Sequence, residues 1–163
     1  MSASAAPLSS IRIAPETPAD AAEAEALVLD AFGPGRFAKT AERLREAARR
    51  VAGFTARHDG RMVGSVRLWA ITVGGAEALF LGPIAVAADA RGEGLGADLV
   101  AACVEEARRR GVAGVLLVGD APYFSRFGFV AAPGAALPGP ADPRRVLWLA
   151  IGSDRAEGPV LPA

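Results

Sequence analysis

Three glycines and an arginine in the stretch ADARGEGLGADLV, residues 88 to 100, have the types and spacing to bind a phosphate. Gly92, Gly94 and Gly96 follow Arg91 and precede an apolar helical pattern. Because glycine lacks a Cβ, such a backbone can turn tightly, or it can bring bare N–H groups to an anion at the start of a helix. The stretch alone leaves both interpretations open: a tight loop without a ligand, or a phosphate site.

Two well-known phosphate loops do not fit these residues. A P-loop requires a lysine after its second glycine, and none is present here. The dinucleotide fingerprint requires G-x-G-x-x-G in a first strand-to-helix turn, whereas this spacing is G-x-G-x-G behind three predicted antiparallel strands. The strand before the loop, LFLGPIAVA, carries Gly82-Pro83. Proline cannot donate to a strand ladder, so the pair predicts an edge, a bulge or a break in pairing.

A bulge at that point would splay the strand at 77–87 away from a buried strand predicted at 112–119. The gap would expose unpaired backbone groups midway along a sheet. An extended ligand that contains amides could pair with them as a strand does, while its phosphates reach the glycine loop. Coenzyme A is peptide-like and ends in a pyrophosphate, so it is the ligand that this arrangement indicates.

The elements that must position these residues are predicted in the order β-α-α-β-β-β-α-β-α-β-β. Asp59-Gly60 lies between two β-type runs, which is a strong hairpin signal. The predicted strands are 10–14, 53–58, 61–73, 77–87, 112–119 and 145–152. The predicted helices begin near Thr17, at Thr40 (ending near Gly53) and at Leu95 (ending at Arg110), with a short one before Gly128. An antiparallel meander therefore leads through a right-handed crossover into a parallel strand.

Length and composition limit the class of protein. The 163 residues predict a single domain at 10–152, with a flexible N-terminus at 1–9 and a flexible tail at 153–163. Eighteen basic residues balance eighteen acidic ones, which argues against a nucleic-acid partner. No secretory signal or membrane-length apolar run is present, so we expect a cytoplasmic location and no membrane contact. A lone cysteine, Cys103, excludes an internal disulfide and a cysteine-based zinc site, and no metal is expected.

With these elements in place, the chain resembles the GNAT superfamily of acetyltransferases over roughly residues 10–152. Arg91 to Gly96 matches the family signature [RQ]-x-x-G-x-[GA] at every fixed position. The ending from Gly119 to Phe129, GD-x-x-x-x-x-R-F-G-F, is similar to that of a subgroup of small bacterial predicted N-acetyltransferases. The resemblance implies an α/β (α+β) acyl-CoA N-acyltransferase fold. Its central sheet would be mixed and mostly antiparallel, with a splay between the strands at 77–87 and 112–119.

The resemblance also implies which residues hold the cosubstrate, acetyl-CoA. Backbone groups of Ile84, Ala85 and Val86 would hydrogen-bond the pantetheine arm and polarise the thioester carbonyl. Phe124 and Arg126 would add contacts, although Arg126 could equally cover the surface. The pyrophosphate would be held by the backbone of the loop residues Arg91, Gly92, Glu93, Gly94, Leu95 and Gly96, with the Glu93 side chain in solvent.

The catalytic residues depart from the family pattern. Deprotonating a lysine-like amine at pH 7 costs roughly 4 to 5 kcal/mol, against about 2 kcal/mol for an unprotonated leaving thiolate, so base help matters more than acid help. The usual family acid is a tyrosine four residues before the glycine of the GF pair, where this chain has Phe124. Tyr123 is the candidate acid or a packing residue, and Ser125 is a weaker substitute. Asp120 is the candidate base or the cap of the short helix, and a relayed water is a further option for the base.

The sequence therefore predicts acetyl transfer from acetyl-CoA to a primary amine of a small molecule or protein, by direct attack in a ternary complex. The acceptor would enter between the loop at 33–39 and the Pro/Gly-rich segment 132–145, in a monomer or a homodimer. Two alternatives remain at this point. One is a catalytically silent module that binds acyl-CoA, which Phe124 favours, and the other is a structural domain whose loop binds nothing.

Overall fold

The computed structural model describes residues 11–32, 40–92 and 94–163. Within these residues the strands are β1 (Ile11–Pro15), β2 (Arg49–His58), β3 (Arg61–Val73), β4 (Ala76–Val86), β5 (Gly114–Val118), β6 (Val130–Ala131), β7 (Ala135–Ala136), β8 (Val146–Ala150) and β9 (Gly158–Pro162). The α-helices are α1 (Ala21–Phe32), α2 (Thr40–Ala47), α3 (Leu95–Arg110) and α4 (Ala121–Phe124). Among them there is no helix with the length and apolar character needed to cross a membrane.

The strands form one mixed sheet in the order β1-β2-β3-β4-β5-β8-β6, with β9 pairing β3 and β7 beside this path. Neighbours along the path are antiparallel except β4 and β5, which α3 joins as a parallel pair. The predicted mixed and mostly antiparallel sheet is confirmed.

The β2–β3 hairpin turns at Asp59 and Gly60, as the sequence predicts. Both residues have positive φ, +51° and +81°. Two consecutive left-handed residues match the right-handed twist of the flanking strands, which is why an Asp-Gly pair favours this turn. The register then brings His58 opposite Arg61 and sets the pairing along the meander.

The bulge predicted at Gly82-Pro83 is present. Val66 pairs with Ile84 and Leu68 with Leu81, so two residues of β4 lie opposite one residue of β3. On its other side β4 pairs with β5 only at Leu79–Val115 and Phe80–Leu116. Beyond that point the two strands diverge, and the predicted splay is therefore confirmed.

Both faces of the sheet are covered by apolar side chains. On one face α3 buries the stripe predicted from its four-residue spacing: Leu95, Leu99, Cys103 and Ala107 are each at most 3% exposed. A separate cluster on the opposite face contains the bulky residues Phe80, Leu116 and Trp148, together with Leu44 of α2.

Two boundary predictions are wrong. The helix from Thr40 ends at Ala47 instead of near Gly53, because residues 49 and 50 pair with β3 and begin β2. The tail predicted to be flexible at 153–163 contains β9, which pairs with residues 71–73 of β3. Non-local strand pairing overrides the local sequence pattern in both cases. The N-terminus predicted at 1–9 lies outside the described residues.

Candidate functional site

The divergence of β4 from β5 opens a cavity of about 700 Å³. Several parts of the described chain line it: the bulged half of β4, the end of β5 with the following turn and α4, the last residue of α1, residues of α2, and the loop before β8. The lining residues are Phe32, Thr40, Ala41, Arg43, Arg45, Phe80, Leu81, Gly82, Pro83, Ile84, Leu117, Val118, Gly119, Asp120, Phe124, Pro140, Ala141, Asp142 and Arg145. Its size is that of a small-molecule site.

One edge of the bulged strand is open to a ligand. Ile84, Ala85 and Val86 pair with β3 on one side. Within the described part of the chain no strand pairs with them on the side of β5, because that strand has already diverged. The indole of Trp69 on β3 donates to the Gly82 carbonyl at 2.5 Å and ties the bulge to the neighbouring strand. An extended molecule with amide groups could pair with this edge as a strand does.

The glycine loop continues from this strand and ends at the start of α3. Gly92 and Gly94 have φ of +87° and +78°, and a Cβ added at either position would meet no atom within 4 Å. Arg91 donates from Nε to the Val86 carbonyl at 3.1 Å, which ties the loop to the end of β4. The first amides of a helix have no intrahelical acceptor and carry its positive end, so this open loop fits a pyrophosphate.

The other predicted loop residues have different surroundings. The Leu95 side chain is buried in the core at 3% exposure, so that only its backbone can serve a ligand. Gly96 lies within the first turn of α3, and a Cβ added there would come within 3.0 Å of the Tyr123 hydroxyl. The predicted contact at Glu93 lies outside the described residues, as does the proposed entrance loop at 33–39.

Tyr123 and Phe124 are directed to different parts of the site. Phe124 lines the cavity, and its ring covers Gly119, where an added Cβ would lie 2.6 Å from the ring. Tyr123 is not among the cavity-lining residues and instead brings its hydroxyl beside Gly96. The Arg126 guanidinium stacks on the Tyr123 ring at 4.5 Å, which puts this arginine on the glycine-loop side as well.

Asp120 has a structural partner and also faces the cavity. Its Oδ2 accepts from the backbone N–H of Tyr123 at 3.1 Å and caps α4, as one of the two sequence interpretations expects. The residue is exposed and contributes to the cavity wall. A capping carboxylate keeps lone pairs for a second partner, so the cap does not contradict a role as a base.

Sequence reasoning missed the cationic side of the cavity. Arg43 and Arg45 come from α2, and Arg145 comes from the turn before β8. The pattern of α2 could have indicated the first two: Leu44 is buried against the core, so the arginines on either side of it are left to line a groove. Arg145 gave no local signal, because the pairing of β5 with β8 brings it to Gly119, whose N–H donates to the Arg145 carbonyl at 2.8 Å.

Neither a metal nor a thiol stands out as a reactive centre. In the described ranges no three side chains of His, Cys, Asp or Glu are grouped to hold a metal ion. The Cys103 side chain is fully buried on α3, and burial raises the pKa of its thiol well above the usual range. A protonated, enclosed thiol is a poor nucleophile.

Comparison with known proteins gives consistent matches. The model of the acetyltransferase (GNAT) family matches residues 21–129. The uncharacterized N-acetyltransferase YhbS of Escherichia coli is 34% identical over 117 residues, which cover 70% of each chain. The crystal structure of YhbS in complex with CoA has a TM-score of 0.75 at 26% identity, over 94% of this chain and 89% of that one. A GNAT family acetyltransferase from Brucella melitensis in complex with acetyl-CoA has a TM-score of 0.73 at 30% identity, over 94% and 96% of the two chains.

Proposed function

The chain belongs to the GNAT family of acetyltransferases, and on that premise we propose that it transfers the acetyl group of acetyl-CoA to a primary amine by direct attack in a ternary complex. The observation that carries the proposal is the continuity of the open β4 edge at residues 84–86 with the glycine loop at the start of α3. The two features lie a few residues apart and are tied by Arg91.

The cosubstrate fits this arrangement in two parts. The pantetheine arm carries amides that would pair with Ile84, Ala85 and Val86, where β4 lacks a partner on the β5 side. The pyrophosphate would lie against the loop amides, and the helix end would favour its charge by roughly 0.3 to 2 kcal/mol. The acetyl-CoA and CoA complexes of the two structural relatives support the same ligand.

The reaction requires an amine nitrogen with a free lone pair. That nitrogen attacks the thioester carbonyl carbon, the C–S bond breaks, the thiolate leaves and takes up a proton, and the nitrogen loses one. We propose Asp120 as the group that receives the amine proton, because its carboxylate faces the cavity. We propose Tyr123 as the proton donor to the thiolate, because it is the tyrosine next to Phe124, which stands at the position of the family acid; its hydroxyl lies beside Gly96.

A thiol-release assay over a panel of primary amines tests this proposal. Asp120→Asn preserves a capping oxygen while removing the base, so stability should be retained while turnover falls by roughly 10²- to 10⁴-fold. Tyr123→Phe preserves the stacking with Arg126 and should lower kcat if the hydroxyl donates a proton. Unchanged turnover in both variants would refute these two roles.

Measurements on the wild-type protein distinguish the transferase from the two alternative functions. Release of thiol with an amine supports the transferase. A rise in Tm with acetyl-CoA, but without turnover of any amine, would identify a silent acyl-CoA-binding module; family membership does not favour this outcome. No rise in Tm at millimolar acetyl-CoA would show that the loop binds nothing, since a ligand that binds the folded state must raise stability.

A further inference from the structure

Two arginines that line the cavity make no ion pair with the described residues. Arg45 is paired with Glu42 at 2.9 Å. The other two lining arginines, Arg43 and Arg145, make no ion pair within 4 Å to any carboxylate of the described residues. Both are exposed and line the same open cavity. Two arginines are therefore available to an anion bound there.

The two carboxylates in the wall have different partners. Asp142 is engaged by Arg144, whose Nη2 lies 3.0 Å from its Oδ2; hydrogen bonds from that arginine, with a smaller contribution from the charge of Arg145, hold the pKa of Asp142 below its usual range. Asp120 caps α4, follows the Gly119 that is hydrogen-bonded to the Arg145 carbonyl, and lines the cavity. The cavity thus presents a cationic side formed by Arg43 and Arg145, and one available carboxylate where β5 ends.

We propose that the amine acceptor is a small molecule that also carries an anionic group, a carboxylate or a phosphate, which Arg43 and Arg145 bind while the amine lies near Asp120. This inference rests on the proposed acetyl transfer and names the class of its acceptor. Guanidinium groups pair with planar or tetrahedral oxyanions through two parallel hydrogen bonds, which fixes orientation as well as charge.

The chemistry of the walls disfavours two other acceptor classes. A polyamine would bring further positive charges against two guanidinium groups that lack carboxylate partners, and that repulsion disfavours it. A lysine side chain of a protein carries no anion on its alkyl stem and would leave both arginines without a partner. The remaining wall is partly apolar, with contributions from Phe32, Pro83 and Phe124, and so suits a compact acceptor molecule with apolar parts.

Matched pairs of acceptors test the inference. Phenylalanine is compared with phenylalaninamide, and O-phosphoethanolamine with ethanolamine, so that each pair differs mainly in the anion. The amide has the less basic amine, so that a preference for phenylalanine cannot come from easier deprotonation. We expect KM to be about tenfold lower for the anionic member of at least one pair, the size of one charge-assisted contact. The pair that shows the preference decides between carboxylate and phosphate.

Variants connect the preference to the two arginines. Arg43→Gln and Arg145→Gln should each raise KM for the anionic acceptor by on the order of tenfold and leave KM for its neutral counterpart unchanged. Affinity for CoA should not change in either variant. Arg108→Gln is the matched control, because Arg108 is exposed in the last turn of α3 and does not line the cavity.

Calorimetric binding of the same pairs to the CoA-saturated protein decides the inference independently of turnover. Preferential binding of the anionic member, lost in the double variant at 43 and 145, supports it. Equal binding of both members, or a preference that survives the double variant, overturns it. Selective anion binding without turnover of any amine would instead overturn the proposed transferase activity and leave the anion site in place.

Discussion

Replacing Gly94 by alanine separates the backbone role of the glycine loop from its role in binding. Gly94 is the residue before α3, with φ of +78° and ψ of 7°, and an added Cβ would meet no atom within 4 Å. Alanine should therefore introduce backbone strain without a steric clash. Gly111, at the other end of the same helix, has φ of +66° and ψ of 28° and is equally open. It provides a control of the same geometry outside the proposed site.

The left-handed backbone conformation costs a residue with a Cβ about 1 to 2 kcal/mol of stability. For a domain of this length 1 kcal/mol corresponds to roughly 2 to 4 °C in Tm. Gly94→Ala and Gly111→Ala should each lower Tm by roughly 2 to 8 °C. Differential scanning calorimetry without ligand measures this shared effect.

Binding should then distinguish the two variants. If the loop amides hold the pyrophosphate, a methyl group at position 94 would keep the phosphate from at least one of them. The loss of a hydrogen bond to a charged group costs about 1.5 to 3 kcal/mol, or roughly ten- to a hundredfold in Kd. We expect this loss for Gly94→Ala in isothermal titration with CoA, and an unchanged Kd for Gly111→Ala.

Equal CoA affinities in the two variants would refute the assignment of the loop to the pyrophosphate. An unchanged Tm in Gly94→Ala beside a lowered Tm in Gly111→Ala would refute the conformational part of the reasoning. Neither result depends on knowing the amine acceptor.

Three further predictions concern stability. Arg67→Met should lower the free energy of unfolding, measured by chemical denaturation, by about 3 kcal/mol, the low end for breaking a buried ion pair. The loss should be at the low end because Glu16, at 2% side-chain exposure, keeps a second and more exposed arginine partner, Arg50. A loss under about 0.5 kcal/mol would contradict this. Cys103 should resist a thiol reagent at pH 8 in the native protein and react only as fast as the chain unfolds, because burial raises its pKa; rapid native labelling would contradict its enclosure. Hydrogen bonds, foremost that from Arg57, lower the pKa of Glu23, so their stabilisation is present above the unfolded pKa and is lost as pH falls through the folded one. Arg57→Gln should therefore weaken the fall of Tm in acid below the ordinary pKa of a glutamate, and an unchanged dependence of Tm on pH would refute the linkage.

The features that the sequence predicts correctly depend on local chemistry. Asp59-Gly60 specifies its turn through two residues that tolerate positive φ. Gly82-Pro83 specifies a bulge because proline cannot donate to the ladder. The glycines before Leu95 mark the start of α3, and the apolar stripe along that helix identifies its buried side. Each signal is complete within a few residues.

The features that the sequence does not reveal depend on distant parts of the chain. The strand that contains Val160 forms because the edge of β3 at residues 71–73 is available to it. The orientation of the Tyr123–Phe124 pair is set by Gly119, whose missing side chain leaves room for the phenylalanine ring. Arg145 reaches the cavity only through the pairing of β8 with β5. None of these contacts can be read from neighbouring residues.

The two apolar clusters on opposite faces of the sheet also bear on how such a protein could change its specificity. The glycine loop and Leu95 are anchored in the cluster beneath α3, whereas α2 and the turn at 140–145 lie over the other cluster. Substitutions at well-separated sites without shared partners have nearly additive effects. Changes at the Arg43 or Arg145 side chains should therefore leave the anchoring of the glycine loop undisturbed. A chain built in this way can acquire a different acceptor by altering one wall, while the machinery that handles the cosubstrate stays the same.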